Sequence, residues 1–117
     1  MSDQIVMLVE DEADIREPLR ELLEEEGLSV ITATHGQDAL NQLEHCSRPK
    51  VMVVDLLMPV MNGVELVEKL RADPRYASIP VLFLSASSTV TPPDGTRMLR
   101  KPVALPRLIE AIRQALT

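Results

Sequence analysis

The chain predicts an open α/β fold around a parallel sheet, and three observations carry that prediction. Short apolar runs alternate with segments of helical period, the pattern of successive βα units. The run Val51–Val54 is apolar on both faces, as a strand buried inside a parallel sheet is. Four of the runs end in a polar residue of a different kind. If they are parallel, those residues converge on the carboxyl edge, where open α/β sheets bind ligands.

The elements follow in order. The first strand is about Gln4–Val9, ending at Glu10, Asp11 and Glu12. A helix over about Ala13–Glu26 sets Ile15, Leu19, Leu22 and Leu23 on one face. Pro18 is tolerable there only in the first turn, and Gly27 is a natural stop. Leu28–Ala33 reads as the second strand and Gly36–Glu44 as a short helix with Ala39, Leu40 and Leu43 inward. Val51–Asp55 is the central strand. Asn62 is placed to cap a helix over about Gly63–Arg71, which Asp73-Pro74 ends. Ile79–Leu84 is the fourth strand, leading to Ser85, and Arg97–Leu99 the fifth, leading through Arg100 to Lys101-Pro102. The last helix, Leu105–Leu116, turns Leu108, Ile109, Ile112 and Leu116 inward. Between Ser85 and Lys101 the alternation breaks. Pro92-Pro93 oppose a helix and Asp94-Gly95 reads as a turn, so the fourth crossover helix is expected to be missing or strongly shortened.

Composition narrows the function classes. The 117 residues fit one domain, 1–117, and 45% are hydrophobic, enough for one packed core. With Tyr76 and Phe83 the only aromatics, that core is aliphatic. A net charge of -6 without a basic stripe argues against direct nucleic-acid binding. The single cysteine, Cys46, excludes a disulfide framework and suits a reducing compartment. No signal-peptide pattern and no apolar run of about 20 residues is present, so a cytoplasmic chain without membrane association is expected.

The polar residues at the strand ends make the set needed for metal-assisted phosphoryl transfer. Mg²⁺ prefers oxygen ligands and keeps several waters. Asp11 and Asp55 are the best direct ligands, with Glu10 able to act through a water. An aspartate can also accept a phosphoryl group as a mixed anhydride. Lys101 supplies a point charge and Ser85 a hydroxyl for phosphoryl oxygens. Singly, each residue has an ordinary structural explanation: carboxylates favour a helix start, Asp55 can form a turn, and Ser85 and Lys101-Pro102 are common strand exits. Jointly, they point to one site. His35 and His45 read as surface or loop residues, Cys46 as a small filler, Met58 and Met61 as packing, and Glu24–Glu26 as a solvated helix end.

Four stretches carry a family resemblance: Ile5–Glu12, Val53–Gly63 with its Asp55-Leu56-Leu57-Met58-Pro59, Pro80–Ala86, and Lys101-Pro102. The chain resembles a receiver domain of two-component response regulators over essentially its whole length. The resemblance implies a doubly wound, flavodoxin-like sheet in order 2-1-3-4-5. It implies Asp55 as phospho-acceptor and Mg²⁺ on Asp11, Asp55 and the Leu57 carbonyl, with Glu10 in the outer acidic position. Ser85 and Lys101 would contact the phosphoryl group, with a cis Lys101-Pro102 bond placing the ammonium. The donor would be a phosphohistidine on a sensor histidine kinase or phosphotransfer protein, docking near Ile15, Pro18 and Leu19. Catalysis would extend only to its own phosphorylation and dephosphorylation, so it is not a conventional enzyme. It would be a stand-alone relay, sink or switch for an unidentified downstream protein, or a receiver cut from a longer regulator. The alternatives are a phosphorylation-independent interaction module on the same fold and a metal-dependent phosphohydrolase. The phosphohydrolase lacks support because Leu57 stands where such enzymes carry a second aspartate.

The chain departs from that family at three places: the short 85–101 segment, Met98 where a switching Tyr or Phe is usual, and Val103 where Phe is common. The 85–95 stretch is accordingly expected to be mobile and to order on phosphorylation. Leu57, two residues after Asp55, offers no polar group to orient an attacking water. Phosphorylated protein is therefore expected to persist, and Leu57→Asn to shorten its lifetime in a dephosphorylation time course; a longer lifetime in the variant contradicts this.

Overall fold

The computed structural model describes residues 5–45, 48–56, 61–86 and 96–116. Its strands are β1 (Ile5–Val9), β2 (Ser29–Ala33), β3 (Val51–Asp55), β4 (Val81–Ser85) and β5 (Arg97–Arg100). Its helices are α1 (Ala13–Glu25), α2 (Gly36–Leu43), α3 (Gly63–Ala72) and α4 (Leu105–Leu116). All four strand pairings are parallel, in the order β2-β1-β3-β4-β5. Among the described residues no helix lies between β4 and β5. Residues 87–95, on which the expected loss of that helix and its mobility rest, lie outside the described residues.

Alternation along the strands divides the core into two layers. Met7, Val9, Met52, Val54, Val81 and Phe83 join residues of α2 and α3 on one face. Val6, Leu8, Val51, Val53, Leu82 and Leu84 join Leu23 of α1 and Leu108, Ala111 and Ile112 of α4 on the other. Each strand side chain lies on the face opposite its neighbour's, so β1 is apolar throughout, and β3 and β4 are apolar up to their last residues, Asp55 and Ser85, because both faces are covered. No helix of the described residues is long and apolar enough to cross a membrane.

The helix termini follow local chemistry. The Asn62 side chain accepts from the Glu65 N–H at 2.9 Å, and the Glu65 carboxylate accepts from the Asn62 N–H at 3.2 Å. This reciprocal pair satisfies two donors at the start of α3. Gly27 has φ 89°, a left-handed conformation that ends α1 and that a side chain would strain. His35 caps α2, its Nδ1 accepting from the Asp38 N–H at 3.1 Å, so it has a structural task that periodicity did not reveal. The Tyr76 hydroxyl donates to the Leu43 carbonyl at 3.2 Å and to Glu44 at 2.8 Å, tying the end of α2 to the α3–β4 link. Arg75 lies over the Tyr76 ring at 4.8 Å and pairs with both Glu44 and Asp73.

One expectation about α1 needs correction. Pro18 is not in the first turn but inside the helix. The N–H it lacks would have bonded to the carbonyl of Asp14, an exposed residue, so the lost bond falls where water reaches. The four apolar residues that share a face of α1 are unequally buried. Leu23 is fully buried and Leu19 half-buried, whereas Ile15 and Leu22 are 37% and 39% exposed. Successive residues turn by about 100° around a helix, and α1 presents only the Leu23 edge of its stripe to the sheet. Met61 is buried in the core, as its packing role predicts; Cys46 and Met58 lie outside the described residues. Of the acidic helix end, Glu24 pairs with Arg20 and Glu26 with Arg113.

Replacing Asn62 by Ala is expected to cost about 1 kcal/mol, lowering the melting temperature by about 4 °C for a domain of this size. Asn62→Asp should recover most of that loss in the same thermal melt.

Candidate functional site

The strand order places the site. β1 and β3 are adjacent, and the chain leaves β1 toward β2 on one side before returning to β3 on the other, which opens a crevice at their carboxyl ends. Val9 is in register with Val54, so Glu10 and Asp55, each the next residue, emerge side by side. Asp55 is opposite Leu84, and Ser85 opposite Arg100. The β5 exit therefore delivers Lys101 over the same edge.

Glu10, Asp11 and Asp55 each offer a carboxylate oxygen within 4.8 Å of the others. Glu10 is 1% exposed and Asp55 is 7% exposed, while Asp11 is half-buried. Lys101 Nζ lies 3.2 Å from Asp55 Oδ2 and 3.4 Å from Glu10 Oε1. The Lys101 N–H donates to the Ser85 carbonyl at 2.8 Å, and the Lys101-Pro102 bond is cis, as the resemblance implies. Ser85 is buried at the end of β4. The expected carbonyl ligand, Leu57, lies outside the described residues.

Electrostatics follow from this crowding. Burial pushes the Glu10 carboxyl up to about 7; a bond from the Glu12 N–H at 3.2 Å opposes the rise, and the negative charge of Asp55 reinforces it. Burial also works against the Lys101 ammonium, but the Asp55 and Glu10 carboxylates outweigh it and hold the pKa above the usual lysine value. One ammonium thus contacts two carboxyl groups of a cluster of three, a set with surplus negative charge.

That donor set fits a hard divalent cation. All three side chains offer oxygen. Opposite oxygens on an octahedral Mg²⁺ stand about 4.2 Å apart. A spread within 4.8 Å suits direct ligation by part of the set and a water link to the rest. Sequence reasoning missed one contributor. Arg16 of α1, with 14% of its side chain exposed, donates from Nη1 to the Glu10 carbonyl at 2.9 Å. It ties the β1–α1 turn to the first turn and a half of the helix. An arginine placed shortly after an acidic strand exit was the available signal.

Beside this edge α1 and the β5–α4 link enclose a cleft of about 470 Å³, lined by Ile15, Pro18 and Leu22 together with Leu84, Pro102 and Val103, and reaching Lys101. The exposed apolar residues of α1 therefore share a cleft with Lys101.

Comparison with known proteins agrees with the geometry. The family model of the response regulator receiver domain matches residues 6–113. Response regulator Rre1 of Synechocystis sp. is 37% identical over 82 residues, covering 69% of this chain and 35% of that protein. Chemotaxis protein CheY1 of Helicobacter pylori is 35% identical over 81 residues, 68% of this chain and 65% of that protein. The matched stretch thus spans less than two thirds of either relative. Among solved structures, chemotaxis response regulator CheY4 of Vibrio cholerae superposes with a TM-score of 0.86 at 28% identity, covering 98% of this chain and all of that one (100%). The receiver domain of the hybrid histidine kinase CckA gives 0.83 at 30% identity, over 97% of this chain and 99% of that one. Sequence, sheet order and strand-end residues converge, and the chain belongs to the response regulator receiver domain family.

Proposed function

We propose that the chain is a phospho-accepting signalling domain in which Asp55 takes a phosphoryl group from a phosphohistidine of a sensor kinase or phosphotransfer protein. The observation that carries the reading is the Lys101 ammonium set between Asp55 and Glu10, at 3.2 and 3.4 Å. An Asp55 oxygen attacks phosphorus; the O–P bond forms as the P–N bond breaks, and the imidazole nitrogen keeps the electron pair. No general base is required, because the carboxylate is already a nucleophile and the reaction depends on positioning and charge neutralisation. Lys101 exchanges its contact with Asp55 for a phosphoryl oxygen, and the Ser85 hydroxyl supports a second. Mg²⁺, held by Asp11 and Asp55 with Glu10 behind, would neutralise charge on the transferring group.

The apolar cleft beside Lys101 supports docking of the donor along α1, since a partner seated on Ile15, Pro18 and Leu22 reaches the acceptor edge directly. The function of any longer protein containing this domain follows from its partners, and phosphorylation is proposed to change the surface they read.

Incubation with acetyl phosphate and Mg²⁺ is expected to add one phosphoryl group, seen as intact mass, and to add none to Asp55→Asn or without metal. Lys101→Ala should slow the reaction by about 10²-fold, the scale for losing one charge-stabilising group. Absence of an adduct on the wild-type chain, with beryllofluoride leaving its NMR spectrum unchanged, would instead favour a phosphorylation-independent binding module.

A further inference from the structure

We propose that Phe83 is a positioning residue for the Asp55 site, coupling the start of α3 to the ends of β3, β4 and β5. The inference rests on the reading of Asp55 as phospho-acceptor. Phe83 is the chain's only phenylalanine, and it is fully buried. In register it sits between Val54 of β3 and Met98 of β5. Those neighbours immediately precede Asp55 and stand three residues before Lys101. Phe83 itself stands two residues before Ser85.

The ring reaches beyond the sheet. A Cβ placed on Gly63 would stand 2.6 Å from Phe83 Cε1 and 3.1 Å from the Leu56 Cα. Gly63, the first residue of α3, therefore lies against both the ring and the residue after Asp55, and glycine is required for that approach. Backbone bonds lock the same group. The Gly63 N–H donates to the Leu56 carbonyl at 2.9 Å, and the Leu56 N–H donates to the Leu84 carbonyl at 2.9 Å. Half-buried Met98 packs against the same core layer. A shift of the ring thus moves Leu56, and with it the Asp55 carboxylate, relative to Glu10 and Asp11 on β1. Interiors packed at crystal-like density transmit such shifts and do not absorb them.

The pair Phe83 and Gly63 supplies the test. Phe83→Leu removes ring volume, Gly63→Ala forces a clash, and the double variant Gly63→Ala with Phe83→Leu relieves the closer of the added methyl's two contacts, leaving the one with the Leu56 Cα. Urea melts select Ile112→Val or Leu108→Ala, on the opposite face of the sheet, as a control of matched stability. Phosphorylation by acetyl phosphate and Mg²⁺ affinity by calorimetry are then measured under conditions where every variant is folded. Phe83→Leu is expected to slow phosphorylation about tenfold, the scale of a sub-ångström misplacement, and to weaken Mg²⁺ binding, with the control unchanged. The double variant is expected to recover rate and affinity relative to Gly63→Ala. If Gly63→Ala does not fold, Phe83→Leu against the control decides alone. Equal rates in Phe83→Leu and the control, on a wild-type chain that is phosphorylated, overturn this inference only. A wild-type chain that takes up no phosphoryl group overturns the reading of Asp55 and this inference with it.

Discussion

The carboxyl edge of the sheet holds Glu10, Asp11 and Asp55 against one another, with their oxygens within 4.8 Å. Like charges at that separation repel by on the order of 3 kcal/mol per pair in a partly wet site. The fold resists this repulsion in three ways. Burial leaves Glu10 with a pKa of about 7, so that it carries a proton part of the time near neutrality. Lys101 reaches across from β5 to two of the carboxylates. Arg16 holds the Glu10 carbonyl from α1. None of these removes the surplus negative charge, and a divalent cation does so most directly.

The remainder of the fold supplies the rigidity that such a cluster demands. β1, β3 and β4 are covered on both faces by helices, so their ends cannot swing apart without opening one of two core layers. The reversal of strand order between β1 and β3 creates the crevice, and the capping box of Asn62 and Glu65 fixes where α3 begins beyond it. Relief of the repulsion by a divalent cation would therefore be felt first by side chains that bridge elements, Lys101 above all.

Sheet order aside, most of this was legible in the residues. The alternation of apolar runs with helical periods located every described strand and helix, and Asn62 and Gly27 marked their ends by known capping chemistry. Glu10, Asp11, Asp55, Ser85 and Lys101 were visible because a parallel sheet gathers strand exits at one edge. What escaped depended on three-dimensional contact. Periodicity set Ile15, Leu19, Leu22 and Leu23 on one face of α1, but it cannot say which edge of an apolar stripe meets the sheet, and Ile15 and Leu22 are exposed. Arg16, the His35 cap and the contact of Phe83 with Gly63 join residues whose meeting depends on how the chain turns and packs. No periodic pattern encodes such contacts.

The most direct test of the account sets stability against metal binding in Asp11→Asn, which removes one like charge and keeps the shape of the side chain. Thermal melts without metal and Mg²⁺ titration by calorimetry are the paired measurement. The metal-free variant is expected to melt a few degrees higher than the wild-type chain while binding Mg²⁺ severalfold more weakly. A lower melting temperature together with unchanged Mg²⁺ affinity would contradict it, and would mean that the carboxylates are held together for structural reasons and not for a cation.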